Sequence, residues 1–158
     1  TDLGDVVSEL AGAGIDTVWT SLASYTLGAN VENLFFGGTG NFLGSGNELD
    51  NVIVGGAGND VLIGGAGNDT QVGGAGNDIF VFGPGFGNDA ILSFGANAAA
   101  GQDLLNITAL GITSVTFAAN VSIAADGADT VVGIGADSIR LVGVSSAAVD
   151  QTDFILAT

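Results

Sequence analysis

Through the middle of the chain, strand-forming side chains arrive in threes, each group separated from the next by six small or polar residues. Val61-Leu62-Ile63, Thr70-Gln71-Val72 and Ile79-Phe80-Val81 follow one another at a nine-residue interval. Counting back at that interval gives Val52-Ile53-Val54, Leu43-Gly44-Ser45, Leu34-Phe35-Phe36, Tyr25-Thr26-Leu27 and Asp16-Thr17-Val18. Short strands at a fixed spacing, divided by glycine-rich turns, predict a solenoid. In a three-residue strand the middle side chain points away from its two neighbours, so Ile53, Leu62 and Phe80 are expected inward. Gln71 falls on an inward position that should be apolar, and Gly44 leaves another nearly empty. Two weak points in the core follow.

The hexapeptide between the triplets sharpens this reading. It is Gly-Gly-Ala-Gly-Asn-Asp three times over, at 55–60, 64–69 and 73–78. Ahead of these copies, Gly46-Asn47-Glu48-Leu49-Asp50-Asn51 carries its acid one place early, and Gly37-Gly38-Thr39-Gly40-Asn41-Phe42 ends in phenylalanine where aspartate belongs. After Val81 the register slips by two, and 84–92 is a last imperfect copy with Asp89 in place. Fragments of the same grammar recur at Gly101-Gln102-Asp103, Gly127-Ala128-Asp129 and Gly135-Ala136-Asp137. One domain is expected, all-β, a parallel β-roll or β-helix solenoid in three parts. Residues 1–36 form an N-terminal capping β segment without metal loops, 37–92 the roll, and 93–158 a C-terminal antiparallel β cap. Within that cap, 115–123, 130–134 and 138–144 alternate as strands, and 96–100 makes a helical turn at most. Trp19 is expected to pack in the N-terminal cap.

Composition narrows the chemistry. Of 158 residues, 17 are acidic and Arg140 is the sole cation, a net charge of −16 that repels itself when the chain is compact. Nucleic acid, polyanions and anionic membrane are poor partners, because one arginine builds no basic patch. The uncharged run 104–125 is broken by asparagine, threonine and serine, so a buried sheet fits it better than a membrane span. Without cysteine, histidine or lysine there is no disulfide, no thiolate or imidazole metal site, and no Ser–His, Cys–His or Schiff-base catalysis. An enzyme is not expected within these residues. Arg140 is assigned to a solvated strand face near an acid such as Asp137.

What such a composition can serve is a hard, oxygen-liking cation. Glycines at the first, second and fourth loop positions let the chain reverse within six residues and aim backbone carbonyls at one point. Those oxygens repel one another unless a cation stands between them. Ca2+ takes six to eight oxygens at roughly 2.3–2.6 Å, more than one loop supplies. The expected ligands are Asp60, Asp69, Asp78 and Asp89, the irregular pair Asp50 and Asn51, and the repeat loops themselves. Those loops are Gly55, Gly56, Ala57, Gly58 and Asn59; Gly64, Gly65, Ala66, Gly67 and Asn68; and Gly73, Gly74, Ala75, Gly76 and Asn77.

These residues resemble the calcium-binding C-terminal region of RTX (repeats-in-toxin) proteins of Gram-negative bacteria. The resemblance is most specific over 55–81. It extends through Tyr25-Thr26-Leu27-Gly28-Ala29-Asn30-Val31-Glu32-Asn33-Leu34 ahead of the repeats and Ile139-Arg140-Leu141-Val142-Gly143-Val144 and Asp153-Phe154-Ile155-Leu156 behind them. It implies two strands per coil, so that alternate loops stack on one edge and each ion lies between a loop and the next but one. Asp60 and Asp78 would then share an ion, and Asp69 would share one with Asp50 or Asn51 on one side or with Asp89 on the other. About three to four Ca2+ ions would bind at the weak, extracellular end of calcium affinity, roughly 10⁻⁴ to 10⁻³ M.

The same resemblance implies a secreted, extracellular or cell-surface module of a larger exported protein, passed through a type I secretion ABC transporter by a signal near the chain's end. A chain unfolded at low calcium threads a channel and folds outside. The rival reading is a structural domain of a surface layer or adhesin that self-associates in calcium. Light scattering separates the two, since only the second forms ordered assemblies.

Overall fold

The computed structural model describes residues 7, 9–12, 14–96 and 102–158. The helical turn expected at 96–100 lies mostly outside them. The strands are β1 (Thr17–Thr20), β2 (Ser24–Thr26), β3 (Asn33–Phe36), β4 (Leu43–Ser45), β5 (Val52–Ala57), β6 (Val61–Ile63), β7 (Thr70–Ala75), β8 (Ile79–Val81), β9 (Asn88–Leu92) and β10 (Leu104–Asn106). After a four-residue helix, α1 (Phe117–Asn120), come β11 (Val121–Asp126), β12 (Asp129–Ile134), β13 (Asp137–Val142) and β14 (Phe154–Ile155). Through β10, consecutive strands alternate between two sheets. One sheet runs β1-β3-β5-β7-β9-β13-β12-β11 and the other β14-β10-β8-β6-β4-β2. Each coil therefore gives one strand to each sheet, and neighbouring coils pair in parallel. The fold is the parallel β-roll that the nine-residue period predicts.

The core is two facing columns of side chains. One runs Tyr25, Gly44, Leu62, Phe80, Leu105, Phe154 in unbroken register. The other runs Val18, Leu34, Ile53, Gln71, Ile91, Leu141. Ile53, Leu62 and Phe80 are inward and buried as expected, and Gln71 is fully buried among them. Gly44 leaves no hole, however. A Cβ there would lie 2.6 Å from the ring of Phe42, which turns in from the loop and occupies the space. Phe42 also stacks on Phe36 with ring centroids 4.6 Å apart. The phenylalanine that displaces a loop aspartate thus repairs the neighbouring glycine.

Counting by nines fails ahead of that loop. Leu34 pairs with Ile53, so the inward residue of β3 is Leu34 and not Phe35. Tyr25 and Val18 are likewise inward in β2 and β1, where the count places Thr26 and Thr17. One extra residue between Phe36 and Phe42 shifts Leu34 and Tyr25, and the first coil is shorter by two, since Val18 pairs with Leu34; with a side-chain period of two the odd slip exchanges the faces and the even one does not. Trp19 is consequently outward, 67% exposed, and stacks on Phe35 of β3 at 4.9 Å. It does not pack inside a cap. Beyond Phe80 the slip of two is present as expected, since Gln71 pairs with Ile91.

The C-terminal part closes the stack. β11, β12 and β13 form an antiparallel meander whose last strand continues the parallel sheet on β9. A strand is expected over 115–123, but residues 117–120 are helical and bring Phe117 against Phe154, ring centroids 4.8 Å apart. The run 104–125 is therefore β10, a 3-10 turn at Thr108–Leu110, α1 and part of β11, not one sheet. Arg140 lies beside Val131 of β12 and pairs with Asp129 (2.9 Å) and Asp126 (2.6 Å), not with Asp137. The hairpin brings those two acids to it. Among the described residues no helix is long and apolar enough to cross a membrane.

Candidate metal centre

The aspartates that close the repeat loops stand in two files, one along each edge of the roll. On one edge, Asp60 Oδ1 accepts from the Phe42 N–H (2.8 Å), Asp78 Oδ1 from the Asp60 N–H (2.9 Å), and Asp103 Oδ1 from the Asp78 N–H (2.8 Å). On the other, Asp69 Oδ1 accepts from the Asn51 N–H (2.8 Å) and Asp89 Oδ1 from the Asp69 N–H (2.9 Å). Each carboxylate therefore reaches back to the backbone of the preceding coil. Alternate loops stack as expected, with Asp60 over Asp78 and Asn51, Asp69 and Asp89 in line.

One oxygen of each carboxylate is thereby used, and in every one but Asp103 the other is not. The Oδ2 atoms of Asp60, Asp69, Asp78 and Asp89 are buried with no hydrogen-bond partner, and the four residues are 0–3% exposed. A buried carboxylate with a bare oxygen demands a proton or a cation. Burial drives Asp69 and Asp78 up to about 6 and Asp89 to about 7, against the opposing pull of the backbone N–H; Asp60 shifts the same way. Neighbouring negative charge adds to the rise, from Asp50 at Asp69 and from Asp103 and Asp60 at Asp78. Arg140, the one cationic side chain of the sequence, is engaged by Asp126 and Asp129 and neutralises none of these four.

Carbonyl oxygens line the same seams. A Cβ on Gly74 would strike the Gly56 carbonyl, and one on Gly76 the Gly58 carbonyl, so both oxygens point from loop 55–60 at loop 73–78. Gly76 has φ of +129°, a conformation that glycine adopts readily. From the upper loop, the Gly73 carbonyl lies beside Gly55, next to Asp60 Oδ2. The other edge repeats this, with the Asn47 and Leu49 carbonyls against Gly65 and Gly67, and the Gly67 carbonyl against Gly87. Among the described residues no three acids converge on one point. Each seam holds about one carboxylate, so backbone carbonyls must complete a calcium shell of roughly six to eight oxygens. The donor set is all oxygen, hard and anionic, and it fits Ca2+.

The irregular residues behave differently. Asp50 is exposed and stands in the asparagine position, where its Oδ1 accepts from the Asn68 N–H (2.7 Å). Asn59 Oδ1 does the same for Asn77 (2.9 Å), and Asn68 Oδ1 for Asn88 (3.1 Å). These side chains form a second ladder running opposite to that of the aspartates. Asn51 holds the aspartate position, but its Oδ1 accepts from the Asn47 N–H (2.8 Å) and its Nδ2 donates to the Val31 and Glu32 carbonyls (3.2 Å each). Neither Asp50 nor Asn51 offers the buried bare oxygen of the true aspartates. Asp103 is not among the expected ligands, though its fragment Gly101-Gln102-Asp103 marks it. It ends the file with both oxygens engaged, because Oδ2 accepts from the Gly95 N–H (2.8 Å).

Comparison with known proteins agrees with this geometry. Residues 45–80 match the model of the RTX calcium-binding nonapeptide repeat. Over 50 residues the chain is 56% identical to the endo-1,3-1,4-beta-glycanase ExsH of Rhizobium meliloti (strain 1021); the match covers 32% of this chain and 10% of that protein. The chain thus spans a small fraction of that relative's length. The solution structure of the AlgE6R3 subunit of the Azotobacter vinelandii mannuronan C5-epimerase superposes with TM-score 0.52 and 26% identity, over 96% of this chain and 84% of that one. The AlgE6R2 subunit of the same epimerase shares the fold, with TM-score 0.56 and 24% identity over 94% of this chain and 96% of that one. With stacked loops, buried aspartates and the repeat model in agreement, residues 45–80 carry RTX-type calcium-binding nonapeptide repeats, set within a parallel β-roll.

Proposed function

We propose that the module takes up about four calcium ions, one at each bare carboxylate oxygen, and that it folds on them after export. The observation that carries this reading is the set of four buried, partnerless Oδ2 atoms at Asp60, Asp69, Asp78 and Asp89. In this reading the Gly56, Gly58 and Gly73 carbonyls complete the seam at Asp60, and the Gly67 carbonyl contributes to the seam at Asp69. At free calcium of about a hundred times Kd, each independent site stabilises the fold by about 2.7 kcal/mol. Four such sites are comparable with the typical ~5–15 kcal/mol stability of a whole domain. Without calcium, four buried negative charges oppose the stack, on a chain of net charge −16.

A chain held open by low cytosolic calcium suits one-step export through a type I ABC transporter, and folding outside would oppose its return. The parent would be a larger secreted or surface protein of a Gram-negative bacterium, with its export signal in the C-terminal cap. The similarity to ExsH, by its name a glycanase, supports a parent with an activity of its own. Far-UV circular dichroism of a chelated sample titrated with calcium tests the folding step. A β spectrum that chelation leaves unchanged would sink it, and calorimetry should return close to four ions.

A further inference from the structure

Loop 46–51 closes on its predecessor by a different chemistry from the loops above it. Asn47 Nδ2 donates to the Gly28 and Val31 carbonyls (2.8 Å each), and Asn51 Nδ2 to the Val31 and Glu32 carbonyls (3.2 Å each). Three carbonyls of the turn before β3 are thus served by two amide groups. An amide nitrogen bears the positive end of a dipole and two hydrogens, so it can satisfy clustered carbonyls as a cation would. Unlike a cation, it cannot be chelated away. The oxygens of the same two side chains are also engaged, Asn47 Oδ1 by the Leu49 N–H (2.9 Å) and Asn51 Oδ1 by the Asn47 N–H (2.8 Å).

The coils on this side of the loop have other metal-free supports. Trp19 stacks on Phe35 and Phe36 on Phe42, and Val31, Leu34 and Ile53 are completely buried. The partnerless carboxylate oxygens begin at Asp60 and continue through Asp89. Ahead of Asp60, the one such atom among the described residues is Asp16 Oδ2, at the far end of the stack.

We infer that the roll is divided at loop 46–51 into a seed that closes on its own amides and a zone that closes on calcium. Asn47 and Asn51 set the boundary. Residues 17–54 keep their coil when calcium is withdrawn, and the exposed strand edge they present is the template on which the later coils regrow. This rests on the calcium reading of the four aspartates.

Amide hydrogen exchange on the full chain, with and without EGTA, tests it. In EGTA the N–H groups of Asn47, Leu49 and Val52 should stay protected, while those of Asp60, Asp69 and Asp78 exchange at the unfolded rate. Trp19 fluorescence should remain native under the same conditions. Loss of both sets together would overturn the seed while leaving calcium-dependent folding intact. Retention of both would overturn the calcium reading and the boundary with it. The double variant Asn47→Ala, Asn51→Ala should bind the same number of calcium ions yet lose the EGTA-resistant protection. If that protection survives in the double variant, the aromatic stacks hold the seed and the role given to the two asparagines falls.

Discussion

Asp78 Oδ1 accepts the backbone N–H of Asp60, eighteen residues away, at 2.9 Å, while its own Oδ2 is buried and bare. One carboxylate therefore does two separable jobs, tying a coil to its predecessor and supplying negative charge to a seam. Asp78→Asn keeps an acceptor and removes the charge. In saturating calcium it should bind one ion fewer and lose about 2.7 kcal/mol at a hundred times Kd. In EGTA the sign reverses, and the variant should be more stable than the wild type because a buried bare charge is gone. Asp78→Ala also leaves the Asp60 N–H unpaired, which costs about a further 1–3 kcal/mol under both conditions. Urea unfolding with and without calcium, together with calorimetric stoichiometry, separates the two roles.

Protons should substitute partly for calcium. Burial raises Asp69 and Asp78 to about 6 and Asp89 to about 7, above an unfolded value of 3.8. For an acid raised in the folded state, the native form binds more protons, so stability is full below the unfolded value and is lost as pH climbs through the folded one. The chelated domain should therefore gain β structure on acidification from about pH 7.5 to about 4.5. Calcium and protons compete for the same oxygens, so the calcium Kd of the folded domain should rise as pH falls below these values, by on the order of tenfold per pH unit at each site, while the calcium needed for half-folding falls because protons already support the fold. Calorimetry at three pH values checks the first trend and circular dichroism the second, and a Kd indifferent to pH would exclude these carboxylates as the ligands.

Much of this was legible in the chain because glycine and aspartate are restrictive residues at fixed offsets. The three identical loops imposed both the period and the position of Asp60, Asp69 and Asp78. The register of the first coils was not legible, because Phe35 and Phe36 are both apolar and either could face inward. Only the pairing of Leu34 with Ile53 decides between them. Asp103 escaped for a related reason, since a longer connection separates it from β9 and hides its place in the file. The roles of Asn47 and Asn51 depend on which end of each amide faces the earlier turn, and no pattern of residue types reports that. Arg140 could be placed on a strand, but its partners Asp126 and Asp129 follow from the hairpin register.

Gln71 is the point of tension in the core. It sits between Ile53 and Ile91 in the inward column, completely buried, with neither Oε1 nor Nε2 hydrogen-bonded. Replacing a buried, unsatisfied polar group by an apolar one of similar volume removes a desolvation penalty of about 1–3 kcal/mol. Gln71→Leu should therefore stabilise the domain by that order and lower the calcium needed for half-folding, with an unchanged ion count. Denaturation midpoints at saturating calcium measure the first effect and a calcium titration the second. A destabilised variant would mean that the carboxamide has a partner in solution.

Three glycines separate backbone strain from crowding in the seam. Gly83 has open space where a Cβ would stand and no left-handed backbone, so Gly83→Ala should be neutral or stabilise by up to about 1 kcal/mol. Gly85 also has open space but φ of +72°, so Gly85→Ala meets conformational strain alone, about 1–2 kcal/mol. Gly76 combines φ of +129° with a clash, because a methyl group there would run into the Gly58 carbonyl. Loops 55–60 and 73–78 would have to separate, which disturbs the oxygens facing that seam. Gly76→Ala should therefore destabilise most and also weaken or remove one calcium ion. Thermal melts in calcium should rank the three variants Gly83, Gly85, Gly76 in increasing damage, and calorimetry should find a lost site only in the last. An equal effect at Gly85 and Gly76 would show that the carbonyl seam plays no part in holding the ion.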